Sequence, residues 1–316
     1  MLRGSLLISR NPAIARAMKI ALIAVDWGTS NRRAFALDGA GCVVAEKSDG
    51  QGMLALKPSE YDASFRKFAG DWLDTGPAVL VCGMAGSRVG WIEAPYLACP
   101  ADPKGLARAL ARAPSELAVH IVPGVSFDGP GEPDVMRGEE TKVLGLGLDR
   151  GVVLSPGTHP KWIFIEGGCI AHFRTYMTGE LFNTLQGGGT LAQLMAEGPL
   201  DAEAFAQGVE RAKAGTDLLH SLFGVRTLGL FGRLKGAQLR SYLSGLLIGT
   251  EIADALQHAP GLSRVTAIGS RELVHHYMMA SSHFGLEIEP VAAEALVPAA
   301  LWRIALDAGL VTQRKV

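Results

Sequence analysis

The chain has 316 residues, a formal net charge of −1 and 48% hydrophobic residues. That length predicts about two domains with sizeable cores, and the balanced charge argues against a nucleic-acid-binding surface. The four cysteines, Cys42, Cys82, Cys99 and Cys169, lack CxxC or metal-finger spacing, which is typical of buried apolar residues in a reducing compartment. No apolar run approaches the ~20 residues of a transmembrane helix, so we expect a cytoplasmic protein that does not enter a membrane.

Residues 1–17 contain three arginines and no acidic residue around a short apolar patch at 6–8. The patch is too short for the apolar region of a signal peptide, and no convincing cleavage site follows it. We therefore expect a disordered extension before the first strand.

The first predicted element is a buried strand over residues 20–25, which ends at Asp26 and leads through a small polar turn into a second strand near Ala34. In the turn, Gly28 lets a ligand approach the backbone, and Thr29, Ser30 and Asn31 offer hydrogen-bond donors. Such a turn can hold phosphate oxygens, and Asp26 can hold the accompanying hydrated cation. The alternative is an ordinary hairpin in which Asp26 accepts from turn N–H groups.

The rest of the first half is predicted to continue in β-β-β-α-β order, unlike the alternating βαβ units of a dinucleotide-binding fold. The predicted elements are a third strand (41–46), a helix with a Ser N-cap (59–73), two strands (78–82 and 117–122) and a second helix (135–148). The second helix would carry the acids Glu139 and Glu140 in its first turn.

The second half repeats this opening pattern, with strands predicted at 152–154, 162–166 and 169–174. Gly157-Thr158 occupies the first turn, as Gly28-Thr29 does in the first half, which indicates an internally duplicated fold. Helices follow at 178–185, 190–195, 201–214 and 238–258, then a strand (264–268) ended by Gly269-Ser270, a helix (272–281), a strand (286–290) and a helix (292–308). Small residues in the helix at 238–258, Ser244, Gly245 and Gly249, would allow close packing at the seam between domains.

The two Gly-Thr hairpins, the Gly-Ser turn and the glycine-containing helix are together the parts of one nucleotide site. The P-loop pattern GxxxxGK[ST] is absent. Its absence argues against a P-loop kinase but not against ATP.

Several long motifs give the chain a family resemblance over nearly all of residues 19–290. They are AVDWGTSNRRAF, GMAGSRVGWIEAPYL, VMRGEETKVLG, PGTHPKW, FRTYMTGELF and SGLLIGTEI. With these motifs the chain resembles the 2-dehydro-3-deoxygalactonokinase family of the actin/hexokinase/heat-shock-chaperone ATPase superfamily. The resemblance implies an α/β fold with two ribonuclease-H-like domains (18–148 and 149–316) around a nucleotide cleft, the last helix being able to pack back on the first domain.

The resemblance also implies a function in D-galactonate and galactose catabolism, with ATP and Mg²⁺ as cofactors. The γ-phosphoryl group would pass to the 6-hydroxyl of 2-dehydro-3-deoxy-D-galactonate. Glu140, with Glu139 as the alternative, would accept the hydroxyl proton, and Asp26 would hold Mg²⁺ through water. Without the family, acids in a first helical turn would simply complement the helix dipole.

The nucleotide contacts implied by the resemblance fall into three loops. The first phosphate loop follows Asp26, the second lies in PGTHPKW, and the third supports the adenosine. Their predicted residues are Gly28, Thr29, Ser30 and Asn31; Gly157, Thr158, His159 and Lys161; and Gly269 with Ser270.

The substrate is an anionic sugar acid, so its site should contain a carboxylate partner. Arg88 and Arg174 lie in motif stretches and can bind a carboxylate in a bidentate way, although either could instead form an interdomain salt bridge. Trp91 could line the sugar pocket or belong to the core. The other predicted substrate contacts are Gly86, Ser87, Thr178 and Glu180.

Two other functions share this fold. A phosphoanhydride hydrolase of the exopolyphosphatase type would activate water with the same acids, but should have an extended basic channel. A nucleotide-dependent sensor without catalysis should have lost its acids. We expect a small-molecule substrate and no nucleic-acid partner, and the sequence leaves the oligomeric state open, a homodimer included.

Overall fold

The structure is a computed structural model that describes residues 19–215, 217–293 and 295–312. The predicted extension over residues 1–17 lies outside these ranges. The chain divides into two compact units, one formed by Met1–Gly147 together with Glu294–Val316 and the other by Leu148–Ala293. The last helix therefore belongs to the first unit, although it follows the second unit in sequence.

The first unit is built on a six-stranded sheet with the order β3-β2-β1-β4-β7-β6. Strand β1 has four consecutive fully buried residues, runs antiparallel to β2 and runs parallel to β4. A three-stranded sheet has the order β5-β8-β9. The strands are β1 Leu22–Trp27, β2 Arg32–Leu37, β3 Val43–Asp49, β4 Ala78–Gly83, β5 Tyr96–Ala98, β6 Ala111–Arg112, β7 Val119–Ile121, β8 Gly124–Phe127 and β9 Asp134–Met136.

The second unit has a five-stranded sheet with the order β12-β11-β10-β13-β14. Its strands are β10 Arg150–Ser155, β11 Lys161–Glu166, β12 Cys169–Thr175, β13 Arg264–Ile268 and β14 Glu287–Val291. The central strand β10 is antiparallel to β11 and parallel to β13, as β1 is to β2 and β4. The duplication predicted from the two Gly-Thr hairpins is thus present in the strand order of both units.

The helices cover the sheets and separate the strands. In the first unit they are α1 Tyr61–Ala69, α2 Pro103–Arg108, α3 Glu139–Leu144 and α10 Leu296–Asp307. In the second unit they are α4 Thr178–Gly187, α5 Gly189–Ala192, α6 Ala202–Lys213, α7 Leu218–Leu230, α8 Ala237–His258 and α9 Arg271–Ser282. No helix in the described part of the chain is long and apolar enough to cross a membrane.

Glycine conformation explains two helix predictions that were wrong. The helix predicted at 59–73 ends at Ala69, because Gly70 has a φ of +57°. The helix predicted at 135–148 begins only at Glu139, because residues 134–136 pair with β8 and Gly138 has a φ of +106°. A positive φ is accessible to glycine at little cost and interrupts a right-handed helix.

Three further expectations need correction. Helix α7 lies in a stretch where no element was predicted. A Cβ on Gly245 would lie 2.0 Å from the Phe205 carbonyl oxygen, so the close packing of α8 is with α6 inside the second unit rather than at an interdomain seam. Of the four cysteines, only Cys82 is buried, and Cys42 is exposed.

The last helix, α10, completes the core of the first unit. Most of its residues are buried, including Leu301 and Trp302, and it packs against β1, α2 and α3. Gly41, with a φ of +86°, makes room for the Trp302 indole, since a Cβ there would lie 2.5 Å from Nε1.

We predict that Leu301→Ala lowers the free energy of unfolding by about 2–5 kcal/mol, because Leu301 is fully buried and its truncation leaves a cavity. Urea unfolding measures the change. Arg303→Ala on the same helix is the matched control, with an expected effect within about 0.5 kcal/mol, because Arg303 is largely exposed. Equal effects of the two substitutions would contradict this packing.

Candidate functional site

The carboxyl ends of β1 and β4 bring Asp26 and Gly83 together in the first unit. Asp26 pairs with Cys82 across the parallel ladder, and a Cβ on Gly83 would lie 3.2 Å from Asp26 Oδ1. A Cβ on Gly138 would in turn lie 3.2 Å from the Gly83 Cα. These two glycines, both with positive φ, let the start of α3 approach the end of β1.

Glu140 is fully buried in the first turn of α3. Its carboxylate accepts hydrogen bonds from the Gly138 N–H (2.6 Å) and the Thr141 hydroxyl (2.9 Å). Burial, with a smaller contribution from the negative charge of Glu139, raises the pKa of Glu140 to about 7. A carboxylate with a pKa near 7 is suited to general base catalysis at neutral pH.

Lys142 lies two residues after Glu140 in α3 and forms an ion pair with Asp26, the Nζ to Oδ2 distance being 3.1 Å. Burial alone would lower the pKa of Lys142, yet the carboxylates of Asp26 and Glu139 raise it above its usual value. Glu139 is only partly buried and accepts from the backbone N–H of Arg137 (3.2 Å). One lysine and three acids are therefore concentrated at this end of the sheet.

The predicted phosphate turn lies directly after β1. The Gly28 N–H donates to the Asn31 carbonyl (2.9 Å), and the carbonyls of Gly28 and Thr29 accept from the backbone of residues 53 and 54. Gly52 allows this approach, since a Cβ there would lie 2.3 Å from the Thr29 oxygen. Thr29, Ser30 and Asn31 are exposed, and their contact with phosphate stays a prediction.

Arg137, just before α3, has two nitrogen atoms without a hydrogen-bond partner among the described residues. Its guanidinium lies 4.3 Å from the Tyr96 ring centroid, and Nη2 donates to the Ala94 carbonyl (2.9 Å). Nε and Nη1 are buried and unpaired, and so is the Ser87 hydroxyl. A Cβ on Gly86 would lie 2.7 Å from Nη1, so the guanidinium packs directly on the GMAGSR motif.

The other predicted substrate residues of the first unit lie in different surroundings. Arg88 is exposed. Trp91 is buried and packs edge-to-face on Trp27, with ring centroids 5.8 Å apart, and against Phe65 at 5.7 Å. The structure thus places Trp91 in the core, one of the two positions that the sequence left open.

In the second unit, the loop at Gly157-Thr158 follows β10, as the turn at Gly28 follows β1. The first turn of α4 lies against this loop, because the Glu180 N–H donates to the Thr158 carbonyl (2.9 Å). Gly179 is required there, since a Cβ would lie 2.3 Å from the Gly157 oxygen. His159 Nε2 lies 2.5 Å from Glu180 Oε2.

A cavity of about 420 Å³ opens beside this loop, entirely within the second unit. Its walls are the Gly157-Thr158 loop, the first two turns of α4, the middle of α8 and the N-terminal half of α9. The lining residues are Gly157, Thr158, Thr178, Gly179, Phe182, Asn183, Leu200, Arg240, Ser241, Ser244, Leu247, Ile248, Ser270, Glu272, Leu273, His276 and Tyr277. The predicted second phosphate loop, Ser270 of the predicted adenosine loop and the glycine-containing helix therefore meet at one cavity.

Ser270 is the N-cap residue of α9 at the cavity wall, and its hydroxyl accepts from the Leu273 N–H (3.3 Å). Gly269 lies next to Pro156: a Cβ on Gly269 would lie 3.4 Å from Pro156 Cδ. The N-terminus of a helix favours anions, because its first N–H groups are free to donate and its dipole is positive there.

Glu251, on α8, is a buried acid that hydrogen-bonds to three elements around this cavity. It accepts from Trp162 Nε1 (2.9 Å) in β11, from the Thr178 hydroxyl in α4 and from the Tyr277 hydroxyl (2.7 Å) in α9. Burial raises the pKa of Glu251 to about 7, and the three hydrogen bonds oppose that rise.

Arg174 and Lys161 do not line the cavity. Arg174 Nη2 lies 3.5 Å from Asp254 Oδ2, and the Tyr176 hydroxyl donates to the same carboxylate (2.7 Å). Arg174 thus has an acidic partner within its own unit. Lys161 is buried at the start of β11, and its Nζ donates to the His159 carbonyl (3.1 Å). A contact of either residue with a substrate stays a prediction.

Three charged residues of these sites were not predicted from the sequence, although signals for them were present. Lys142 lies within the VMRGEETKVLG motif, three residues after Glu139 on one helix face. Arg137 lies in the same motif. Glu251 is an acid inside an otherwise apolar helical stretch, a position that favours a buried, hydrogen-bonded carboxylate.

The duplicated sheets and the loops after their first strands define the class of protein: an actin-like ATPase fold. A family model described as 2-keto-3-deoxy-galactonokinase matches residues 26–304, so the chain belongs to this family.

Several proteins resemble the chain over most of its length. It is 37% identical to a Rhizobium meliloti (strain 1021) protein named "Probable 2-dehydro-3-deoxygalactonokinase DgoK1", over 88% of this chain and 94% of the relative. It is 32% identical to the 2-dehydro-3-deoxygalactonokinase of Escherichia coli (strain K12), over 90% of this chain and 97% of the relative. A crystal structure from Sinorhizobium meliloti, provisionally assigned the same kinase name, has a TM-score of 0.82 and 34% identity over 90% of this chain and 98% of that one.

The buried carboxyl of Glu251 should make stability depend on pH. It holds its proton more tightly in the folded state, with a pKa of about 7, than in the unfolded chain, where the usual value is 4.5. Its contribution to the free energy of unfolding therefore falls as the pH rises from about 4.5 to about 7, by about 3 kcal/mol.

Glu251→Gln removes this titration, so we predict a flatter dependence of the free energy of unfolding on pH between 5 and 8. Urea unfolding at several pH values measures it. The exposed Glu203→Gln is the control and should leave the wild-type dependence intact. An identical pH dependence in Glu251→Gln and the wild type would contradict the assignment.

Proposed function

We propose that this chain is a sugar-acid kinase that transfers the γ-phosphoryl group of ATP to the 6-hydroxyl of 2-dehydro-3-deoxy-D-galactonate, in galactonate and galactose catabolism. The observation that carries the proposal is the cavity of the second unit, where the predicted phosphate loop, Ser270 and the glycine-containing helix meet. Membership of the family and the names of the relatives indicate the substrate.

The cavity suits a nucleotide in size and in charge. Its volume of about 420 Å³ lies within the range of roughly 300–1,000 Å³ that is typical of small-molecule sites. Arg240 and the N-terminus of α9 supply positive charge, while Leu247 and Ile248 supply apolar surface. Phosphate oxygens would bind at Gly157-Thr158, and the adenosine would bind beside Ser270.

The first unit would supply the base. The carboxylate of Glu140 would accept the proton of the 6-hydroxyl as its oxygen attacks the γ-phosphorus and the bond to the bridging oxygen of ADP breaks. A pKa of about 7 leaves a substantial fraction of Glu140 ionised at neutral pH and still basic enough to take the proton. Glu139 is the alternative, because it lies in the same turn and is more accessible.

The residues present fit a hydrated magnesium ion carried by the nucleotide. Mg²⁺ usually keeps several waters and takes one or two carboxylates plus phosphate oxygens, which a single accessible carboxylate such as Asp26 can supply. Asp26 would hold the ion through water, and Lys142 would fix the Asp26 carboxylate and balance phosphate charge. When bound, the ion neutralises charge on the transferred group.

The carboxylate of the sugar acid would bind Arg137 and Ser87 rather than Arg174. Buried N–H groups without partners are costly, and an anionic ligand would accept a hydrogen bond from Nε or Nη1 of Arg137. Arg174 also has one buried nitrogen without a partner in the described part of the chain, Nε, but its Nη2 already pairs with Asp254. The exposed Arg88, next to Ser87 in the GMAGSRVGWIEAPYL motif, remains the competing residue.

We predict that Glu140→Gln lowers kcat about 10²–10⁴-fold while leaving the dissociation constant of ATP nearly unchanged, because only proton transfer is removed. In the wild type, kcat/KM should rise with pH up to about 7, as Glu140 loses its proton. A coupled ADP-release assay with Mg-ATP measures kcat and kcat/KM. Equilibrium titration of each enzyme with ATP measures the dissociation constant.

Glu139→Gln, assayed in parallel, is the matched control. If it removes the activity and Glu140→Gln does not, Glu139 is the base. ADP release that does not depend on the sugar acid would indicate a phosphoanhydride hydrolase instead of a kinase.

We predict that Arg137→Lys raises the KM for the sugar acid about 10-fold or more and changes the KM for ATP little, because a lysine ammonium cannot replace the N–H groups that a guanidinium holds in a fixed plane. Steady-state kinetics with each substrate varied in turn measures the two constants. Arg88→Lys is the matched change in the neighbouring motif. A larger effect from Arg88→Lys would assign the carboxylate to Arg88.

A further inference from the structure

Helix α7 in the second unit exposes an unusual amount of apolar side chain. Only Ser221 and Val225 of its thirteen residues are buried. Four large side chains are 59–78% exposed: Leu219, Phe223, Leu230 and Phe231, the last directly after the helix. A helix that is apolar on nearly every side is expected to be covered on more than one face.

Three of these exposed side chains form a regular stripe with the half-buried Arg226. Leu219, Phe223, Arg226 and Leu230 are separated by four, three and four residues, the spacing of the a and d positions in a coiled coil. They lie opposite Ser221 and Val225, which face the unit's own core. This spacing fits one long partner, another helix.

The stripe is complementary to itself in an antiparallel arrangement. When two copies of α7 are related by a two-fold axis midway along the stripe, Leu219 faces Leu230 of the second copy. Phe223 faces Arg226 of the second copy, which allows the guanidinium to stack on the ring. The Arg226 side chain is held along the surface by a hydrogen bond from Nη1 to the Thr190 carbonyl (2.7 Å).

Charge at the ends of the helix also favours an antiparallel pair. Asp217 precedes the first residue of α7, and Arg233 follows the last by three residues, and both are exposed. The antiparallel arrangement brings the acid of each copy towards the base of the other. The stripe itself contains no acidic residue and only one arginine per copy, so repulsion between the copies is small.

The exposed area is of the size that a dimer needs. From the exposed fractions, the four apolar side chains offer roughly 400–600 Å² per copy, and three of them, Leu219, Phe223 and Leu230, lie in the stripe. This area is half or more of the about 800 Å² per partner in a standard interface. Contiguous apolar patches of this size mark interaction sites in soluble proteins.

We propose that α7 is the interface of a two-fold homodimer, in which Leu219 and Phe223 pack on Leu230 and Arg226 of the second copy. The interface is independent of the nucleotide and sugar sites, so it does not rest on the proposed kinase activity.

Analytical ultracentrifugation of the full chain over a range of micromolar concentrations tests the proposal. The wild type should have twice the chain mass of 33.3 kDa. Leu219→Lys and Leu230→Glu should each raise the dimer dissociation constant about 100-fold or more, because each buries an unpaired charge. Leu54→Lys, a similarly exposed leucine in the first unit, should leave the mass unchanged.

The double variant Leu219→Lys with Leu230→Glu tests the antiparallel register. It should recover most of the dimer, because each lysine then faces a glutamate of the second copy. A wild-type monomer at all concentrations, or a dimer that neither single substitution weakens, would overturn the proposal. Failure of the double variant to recover the dimer would overturn the antiparallel pairing.

Discussion

The structure of the first unit depends on how charge is placed at the carboxyl ends of β1 and β4. Asp26, Lys142 and the two acids Glu139 and Glu140 lie where two strands and the start of α3 converge. A buried carboxylate is tolerated only when it is hydrogen-bonded, neutralised or paired. Here Glu140 has two donors and a raised pKa, and Asp26 has the ammonium of Lys142.

The second unit repeats the strand order of the first but uses its buried acid for another purpose. Glu251 contacts β11, α4 and α9 from α8, and so joins elements that surround the cavity of the second unit. The two units thus share one strand order but differ in the charged side chains around their sheets. One copy carries the candidate base and the other the cavity proposed for the nucleotide.

Much of the fold and part of the site could be predicted from the sequence. The β-hairpins, the Gly-Thr turns and the late Gly-Ser turn are marked by local sequence patterns, and each lies at the predicted position in the structure. Helix α7 could not be predicted, because its glycines and nearly uniform apolarity hide the helical period. The partners of Arg137 and Glu251 depend on contacts between residues 26 to 89 positions apart, which no local pattern specifies.

The most direct test of the account is to identify the product formed from Mg-ATP and 2-dehydro-3-deoxy-D-galactonate. We expect one equivalent of ADP for each sugar acid consumed, and a new phosphate ester whose ³¹P signal couples to the two protons on carbon 6. The gluconate epimer, run alongside, reports how strictly the site selects the substrate. A phosphate ester at another carbon, or release of inorganic phosphate without an ester, would contradict the proposed function.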